Sequence, residues 1–307
     1  MGGGREVHSA FRRHSFAYSE GMDVLVLRER GGVGYNALYY DSLPELDSQR
    51  PNSVETIIVD TRDKANSAYV EWAIDHAEMI WLAGGRQSGS IHDWNDTKLS
   101  KAVDAAIERG VVIGGTSSGM AILGGVVCAP GLRYRGTTSA EAIADPFNER
   151  IKIHGALFKI PRLENAILDM HVGQEDRMGR LITFVARAHE KTKPRRAMGI
   201  GLDEGTALFI DEKGFGHFTA NLPPGAGLLA PGTALPPPWY TSQRQGYILI
   251  HDGESRLVTL AKGKPLQYYN LGLRILKEGD TVDFNQPIRL THRISVDGTK
   301  PEPITMK

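Results

Sequence analysis

The chain has 307 residues, and its 36 Lys and Arg balance 36 Asp and Glu, so the formal net charge is zero. A neutral chain without an acidic or basic tail argues against a nucleic-acid partner. No apolar run reaches the roughly 18 residues of a membrane-spanning helix, and the first residues lack the apolar segment of a signal peptide. The composition therefore predicts a globular, cytoplasmic protein without a nucleic-acid or membrane partner.

Short β-branched runs alternate with helix-length amphipathic segments over the first two-thirds of the chain. Runs typical of strands occupy residues 22–28, 56–60, 79–83, 111–113, 198–202 and 206–210, and the clearest helices are predicted over 67–77 and 99–109. Strands that alternate with helices predict a parallel sheet that is covered by helices on both faces.

The composition changes near residue 222, where a proline- and glycine-rich stretch ends regular structure. Short β-like pieces with turn residues between them follow this stretch. We therefore predict an α/β domain over 1–221, a linker over 222–239 and a β-rich C-terminal extension over 240–307. The extension contains no recognisable chemistry.

The single cysteine, Cys128, excludes an internal disulfide and a cysteine-rich zinc site. It follows two valines, so we expect a buried, unreactive thiol rather than a nucleophile. The scarcity of cysteine also favours the interior of the cell.

The chain opens with "MGGGREVHSAFRR", a glycine-rich turn of the kind that normally follows a strand in an α/β domain. No strand precedes it here. Either residues before Met1 are missing or the sheet is completed in another way, and the sequence leaves both possibilities open.

Ser117 is the first candidate for chemistry, because "GTSSG" over residues 115–119 fits the pattern G-x-S-x-G and directly follows a β-branched run. The glycines permit a sharp turn from strand to helix that exposes a nucleophilic serine. The next amide, that of Ser118, can then face an oxyanion. A glycine-serine loop without chemistry has the same pattern.

Three further segments carry residues that suit this chemistry. In "WLAGGRQSG" (81–89), Gly85 offers a backbone donor and Gln87 a side-chain amide, although a plain turn explains the segment equally well. In "NAILDMHVGQEDRMGRL" (165–181), His171 suits a general base and lies among charged side chains: Asp169, Arg177 and Arg180. The alternative for this second segment is a surface region with incidental salt bridges.

The third segment, "MGIGLDEGTALFI" (198–210), places Glu204 between two apolar runs. A carboxylate there could orient the histidine and stabilise its cation. Asp203 is the rival for this role, and a hairpin turn built on Asp-Glu-Gly is the alternative without chemistry.

Taken together, "GGTSSGM", "GGRQ", "LDMHVGQEDRMGRL" and "GIGLDEGTAL" resemble the motif set of the cyanophycinase-like serine peptidases, relatives of dipeptidase E. "SAEAIADPFNER" (139–150) and the opening glycines fit the same pattern, and the resemblance covers roughly residues 1–215 in the right order. It implies a doubly wound α/β domain, a homodimer, and cleavage at a β-linked aspartyl backbone or after an N-terminal aspartate. It also implies that neither metal nor cofactor is needed.

The resemblance implies a role for each matching residue. Ser117 matches the nucleophile, His171 the base and Glu204 the residue that orients it, while the amides of Gly85 and Ser118 match the oxyanion hole. The residues that match substrate-contacting positions or the arginine-rich motif after the histidine are Gln87, Asp169, Arg177 and Arg180.

The sequence also departs from the family pattern near the substrate. Arg86 stands where the family has an acid, and Glu175 where it has an arginine. Exchanging the sign of a charge beside an acidic substrate replaces attraction with repulsion. We therefore predict altered recognition, in which Arg86 and Glu175 could pair with each other.

These observations predict a serine peptidase that hydrolyses a peptide or isopeptide bond at aspartyl substrates through an acyl-enzyme. Its preferred substrate is expected to differ from standard cyanophycin. Two alternatives remain open: a catalytically silent binding protein on the same fold, and an esterase or acyltransferase that uses the same triad.

Overall fold

The computed structural model describes residues 1–11, 21–43, 50–132, 136–192, 197–221 and 244–307. Its strands are β1 Asp23–Arg28, β2 Ser53–Ile58, β3 Met79–Leu82, β4 Val112–Gly115, β5 Val126–Cys128, β6 Ile153–Gly155, β7 Ala166–Met170, β8 Met198–Leu202, β9 Thr206–Ile210, β10 Phe215–Ala220, β11 Gly246–Ile250, β12 Arg256–Thr259, β13 Gln267–Leu276, β14 Thr281–Asp283, β15 His292–Asp297 and β16 Ile304–Met306. Its helices are α1 His8–Ala10, α2 Gly34–Ala37, α3 Arg62–Ala65, α4 Ala68–Asp75, α5 Gln87–Trp94, α6 Lys98–Glu108, α7 Ser118–Ala121, α8 Ser139–Ala144 and α9 Met178–Thr192, with a π-helical turn at Leu38–Ser42.

The first sheet has the strand order β2-β1-β3-β4, and all of its pairs are parallel. Because successive side chains of a strand point to opposite faces, Leu25 and Leu27 pack with buried residues of α4 and α6. Val24 and Val26 pack on the other face, in a cluster with Phe11. Both faces of this sheet are therefore buried, as its continuous apolar strands require.

Helix α6 shows how local sequence sets an element of this layer. Thr97 caps its first turn, with Oγ1 accepting a hydrogen bond from the Ser100 amide at 3.4 Å. The helix ends just before Gly110, which has a φ of 85°. The buried residues Val103 and Ala106 lie on the face that the sequence predicts.

The second sheet has the strand order β16-β15-β13-β11-β8-β7-β5-β6, and β12 pairs with β13. Strands β5, β7 and β8 are parallel to one another. Strand β11 pairs antiparallel with β8, so the C-terminal strands continue this sheet. Helix α9 buries Leu181 and Val185 in one cluster with Ile167 and Tyr247. A third, small sheet has the order β14-β10-β9.

The predicted fold class is confirmed: parallel strands are covered by helices, and the C-terminal region is rich in strands. Several bounds differ from the sequence-based prediction. Strand β2 begins three residues earlier than predicted, because Ser53 already pairs with Asp23 at the start of β1. The predicted linker, 222–239, lies outside the described residues, and the division of the chain into domains stays a prediction. Among the residues that the structure describes, no helix is long and apolar enough to span a membrane.

Candidate active site

Ser117 occupies a strained corner between β4 and α7. Its φ of 52° and ψ of −124° lie outside the regions that a residue with a side chain ordinarily adopts. The glycines around it are needed for close packing, since a Cβ on Gly119 would lie 2.0 Å from the carbonyl oxygen of Leu82. The corner thus holds the serine side chain at the carboxyl end of the parallel strands, where α/β folds usually bind ligands.

The side chains of Ser117, His171 and Glu204 form a continuous relay. Ser117 Oγ lies 2.9 Å from His171 Nε2, and His171 Nδ1 lies 2.7 Å from Glu204 Oε1. His171 directly follows β7 and also has a positive φ, of 53°. The exposed fractions of the His171 and Glu204 side chains are 15% and 37%, so the relay is reached by solvent.

Two neighbouring carboxylates after β8 have opposite environments. The hydrogen bond from His171 lowers the pKa of Glu204 below its ordinary value, against the effect of partial burial. Asp203 is fully buried and accepts hydrogen bonds from the amides of Gly173 and Gln245, at 2.7 and 2.9 Å. Burial raises the pKa of Asp203 to about 7. Of the two carboxylates that the sequence left open, it is Glu204 that contacts the histidine.

The first three residues bind the backbone of all three turns that carry the relay. The carbonyl oxygen of Met1 accepts a hydrogen bond from the Ser117 amide at 3.0 Å, and that of Gly2 accepts one from the His171 amide at 3.1 Å. The carbonyl oxygen of Gly3 accepts one from the Gly205 amide at 2.9 Å, next to Glu204. We call residues 1–3 the N-terminal strap.

The strap needs glycine at its third position. Gly3 has a φ of 101°, and a Cβ there would lie 2.3 Å from His171 Cε1. The sequence marked this region only as a glycine run with no strand before it. This run of glycines is the only sequence signal that could have pointed to the strap, because glycine permits such a close approach to another group.

The two residues predicted to form the oxyanion hole lie next to each other. The Gly85 amide donates a hydrogen bond to Ser118 Oγ at 2.6 Å. Ser118 begins α7 and its side chain is buried. The Gly85 amide, which an oxyanion would need as a donor, therefore already donates its hydrogen bond to the Ser118 hydroxyl in this structure.

The side chain of Gln87 is directed toward the end of β5. Its side-chain amide donates to the carbonyl oxygen of Cys128 at 2.6 Å. Cys128 is buried and free, and burial raises the pKa of its thiol to about 12. The expectation of a buried thiol is therefore confirmed.

Asp169 and Arg180 form an ion pair in the interior. Arg180 Nε lies 2.9 Å from Asp169 Oδ2, and a second guanidinium nitrogen contacts Oδ1. Their exposed fractions are 2% and 5%. Arg180 also donates to the carbonyl oxygen of Thr137 at 3.2 Å, and Asp169 Oδ1 accepts from the Met170 amide at 3.0 Å, so both side chains are held by interior partners.

The suggested pair between Arg86 and Glu175 is wrong. Arg86 Nη2 lies 2.5 Å from Glu29 Oε1, and Arg30 Nε lies 2.7 Å from the other oxygen of the same carboxylate. Glu175 instead contacts Arg177. The reason is strand order: β1 and β3 are neighbours, so Glu29 after β1 meets Arg86 after β3. No local sequence signal marks Glu29, which the sequence analysis missed.

In the described part of the chain, no cluster of three or more His, Cys, Asp or Glu side chains could hold a metal ion.

Comparison with known proteins identifies the family. The sequence model of Peptidase family S51 matches residues 49–217, more than half of the chain. A cyanophycinase of Nostoc sp. is 26% identical over 299 residues, which cover 95% of this chain and 85% of that protein. A cyanophycinase of Geminocystis herdmanii is 26% identical over 231 residues, covering 73% and 69% of the two chains. The crystal structure of a peptidase from an acI-B1 Actinobacterium is similar with a TM-score of 0.45 and 14% identity over 90% of this chain and 89% of that one. The chain belongs to Peptidase family S51 and is a serine-type peptidase.

Proposed function

We propose that this peptidase cleaves peptide or isopeptide bonds at aspartyl substrates, through an acyl-enzyme formed on Ser117. The observation that carries the proposal is the unbroken relay from Ser117 Oγ through the His171 ring to Glu204. A nucleophile, a base within hydrogen-bond reach and a third group that orients the base are the parts that covalent acyl transfer requires.

Each part of the relay has one task in the proposed reaction. His171 Nε2 takes the Ser117 proton while Oγ bonds to the substrate carbonyl carbon, and Glu204 stabilises the resulting imidazolium through Nδ1. The His171 proton then passes to the leaving amine as the scissile C–N bond breaks. His171 then takes a proton from a water molecule, which attacks the carbonyl carbon of the ester. As the bond from this carbon to Ser117 Oγ breaks, the acid is released and His171 returns the proton to Oγ.

The oxyanion hole in this proposal consists of the Gly85 and Ser118 amides. Because the Ser118 hydroxyl holds the Gly85 amide at 2.6 Å, the substrate oxygen must replace that hydroxyl. We therefore propose that the Ser118 side chain rotates away when substrate binds. Once that hydroxyl has moved, the Gly85 amide can donate to the oxyanion that develops in the transition state.

The substrate class is proposed from the relatives and from the charges beside the relay. The relatives are named cyanophycinases, which supports an aspartyl, β-linked substrate. Arg86, which follows Gly85, is paired with Glu29, and Arg177 is paired with Glu175. The charges that would meet an acidic substrate near the relay are therefore partly neutralised by these partners. This neutralisation supports a preference other than standard cyanophycin.

Asp169 matches a substrate-contacting position of the family and Arg180 belongs to its arginine-rich motif, but both are proposed here to support the turn that carries His171. Their burial and mutual pairing favour this supporting role over direct contact. The predicted homodimer and cytoplasmic location also stay predictions, and analytical ultracentrifugation would test the former.

The proposal is tested with wild-type protein, Ser117→Ala and the matched control Ser53→Ala, whose serine is exposed on β2. Each protein is incubated with cyanophycin, β-aspartyl dipeptides and N-terminal aspartyl peptides, and the products are identified by mass spectrometry. We expect cleavage by the wild type and the control, and none by Ser117→Ala. A fluorophosphonate probe should label the same two proteins.

Each alternative predicts a different result. A catalytically silent binding protein predicts neither cleavage nor labelling, and the occupied Gly85 amide is the observation that favours it. An esterase or acyltransferase predicts labelling and turnover of simple esters without cleavage of any aspartyl peptide. Cleavage that survives in Ser117→Ala would overturn the proposed nucleophile.

A further inference from the structure

An apolar groove of about 520 Å³ lies between β4 and β9. Its lining includes residues of both strands together with Leu168, Ile200 and Leu202 from the second sheet and Trp81 from the first. Met1 lies at one end of the groove. An exposed apolar surface of this extent is typical of a place where another segment or molecule packs.

The two strands that border the groove each have a free edge. Among the described residues, β4 pairs only with β3, and β9 pairs only with β10. Backbone groups of alternate residues point to opposite edges of a strand. The carbonyl oxygen of Thr206 points away from β10, toward the Gly2 amide, so the backbone groups of Leu208 and Ile210 share that direction.

The strap already forms backbone hydrogen bonds of the kind that pair two β-strands. The Met1 amino group donates to the Gly115 carbonyl oxygen at 2.7 Å, and the Ser117 amide donates to the Met1 carbonyl oxygen at 3.0 Å. Donation to one residue and acceptance from the next but one is the pattern of parallel strands. On the other side, the Gly2 amide donates to Thr206, the first residue of β9, at 3.0 Å.

We propose that a β-strand binds in this groove, and that it consists of the residues of the natural chain directly before Met1. This strand would run parallel to β4 and antiparallel to β9. This strand joins the first sheet to the small third sheet. Matching β4 and β9 requires about four or five residues at roughly 3.3 Å each. Because both of its faces would be buried, the strand is continuous in Val, Ile and Leu and carries no charge.

The amino group of Met1 favours this occupant over a separate peptide or a second copy of the chain. Burial lowers the pKa of this group to about 6, because its charged form loses contact with water. A peptide bond at the same place donates the same hydrogen bond to Gly115 without a charge. An occupant that is not joined to Met1 would leave the charge buried at its end.

The strand has a consequence for activity, which rests on the proposed function. The strap binds the turns of Ser117 and His171 and the residue after Glu204, and a seated strand anchors the strap at its upstream end. Without this anchor, a chain end frays at little cost. The strand therefore positions the relay without touching the substrate.

The test compares the chain starting at Met1 with versions that carry about five added residues directly before it. One version carries the apolar segment Val-Val-Leu-Val-Ile, a second carries Ser-Gly-Ser-Gly-Ser, and a third carries the apolar segment with its central residue replaced by proline, which cannot occupy a central strand. Thermal unfolding and hydrogen exchange at the Leu208 and Ile210 amides are measured for all four proteins.

We expect the apolar version alone to raise Tm, by on the order of 10 °C over the Ser-Gly version, and to slow exchange at both amides by at least about tenfold. Equal Tm and equal exchange in the apolar and Ser-Gly versions would overturn the proposal. Protection of these amides in the chain starting at Met1 that rises with protein concentration would overturn it too, since a second copy would then fill the groove.

Two further readouts separate this inference from the proposed function. The intact mass of the protein from its own cells should exceed that of the chain starting at Met1, and an equal mass would overturn the inference. If the apolar version gains stability and amide protection while no version is labelled at Ser117, the strand stands and the proposed function fails.

Discussion

Two groups of polar side chains have members at the carboxyl ends of β7 and β8, and they differ in their exposure to solvent and in their partners. The open group, Ser117, His171 and Glu204, is linked by hydrogen bonds and reached by solvent. The closed group, Asp169, Arg180 and Asp203, is at most 5% exposed and saturated by interior partners. The comparison shows that access to solvent, rather than residue type, separates groups that suit chemistry from groups that hold the fold.

Backbone direction produces this separation. Asp203 and Glu204 are consecutive, so their side chains point to opposite sides, one into the core and one toward His171. Asp169 lies within β7, whereas His171 follows the strand and takes a left-handed φ that turns its side chain toward Ser117. A change in the open group should therefore affect mainly activity, and a change in the closed group mainly stability.

The largest expected effect is on activity, in the open group. His171→Ala removes the base, so we expect kcat/KM on the cleaved substrate to fall by on the order of 10⁴-fold or more. The free energy of unfolding should change by less than about 1 kcal/mol, because a partly exposed pair contributes little to stability. Steady-state kinetics and urea unfolding measure the two quantities. Retention of more than about one-hundredth of the activity would mean that another group is the base.

The next effect is on stability, in the closed group. Asp169→Ala leaves the Arg180 guanidinium buried without its partner, so the free energy of unfolding should fall by about 3–5 kcal/mol. Urea unfolding monitored by circular dichroism measures this loss. The matched control is the double variant Asp169→Leu with Arg180→Met, which removes both charges and should recover most of the loss. A double variant as unstable as the single one would show that the loss does not come from the unpaired charge of Arg180.

A third effect is a pH dependence of stability that differs between the two carboxylates after β8. Burial raises the pKa of Asp203 from its ordinary 3.8 to about 7, so the folded protein binds more protons than the unfolded chain in that window. The contribution of Asp203 to stability is therefore present below about pH 4 and is lost as the pH rises through 7. Glu204, with a lowered pKa, contributes in the opposite sense: its stabilisation is present above the ordinary pKa and is lost on acidification.

Asp203→Asn should flatten the fall in the free energy of unfolding between about pH 4 and pH 8, while Glu204→Gln should leave that fall unchanged. Urea titrations across this range measure both slopes. Equal slopes in the wild type and Asp203→Asn would mean that Asp203 titrates near its ordinary value, with its two amide donors outweighing burial.

The sequence analysis was most reliable where the signal is local. β-Branched runs predicted β1, β3, β4, β8 and β9 to within a few residues, because a strand buried on both faces must be continuously apolar. The sequence also singled out Ser117, His171 and Glu204, because glycines and polar residues at strand ends stand out against apolar runs. Their role in catalysis stays a proposal.

Other features depend on which strands are neighbours, and no single segment contains that information. Arg86 meets Glu29 because β1 lies beside β3, although the two residues are far apart in the chain. Asp169 pairs with Arg180 because α9 packs against the second sheet, and this pairing buries both. From the sequence, Arg86, Asp169 and Arg180 resembled surface residues available to substrate.

The sequence by itself predicted the family, the strands β1 to β4, β8 and β9, and the three residues that form the relay. It also raised the question of what precedes the opening glycines. Only the tertiary structure decided that Glu204 rather than Asp203 meets His171 and that the N-terminal strap binds all three turns. It also revealed a groove beside Met1 whose two bordering strands each lack a partner on one edge among the residues that the structure describes. The physical reason is that propensity and apolar periodicity act over a few residues, whereas burial, ion pairing and edge pairing depend on contacts between segments distant in the chain.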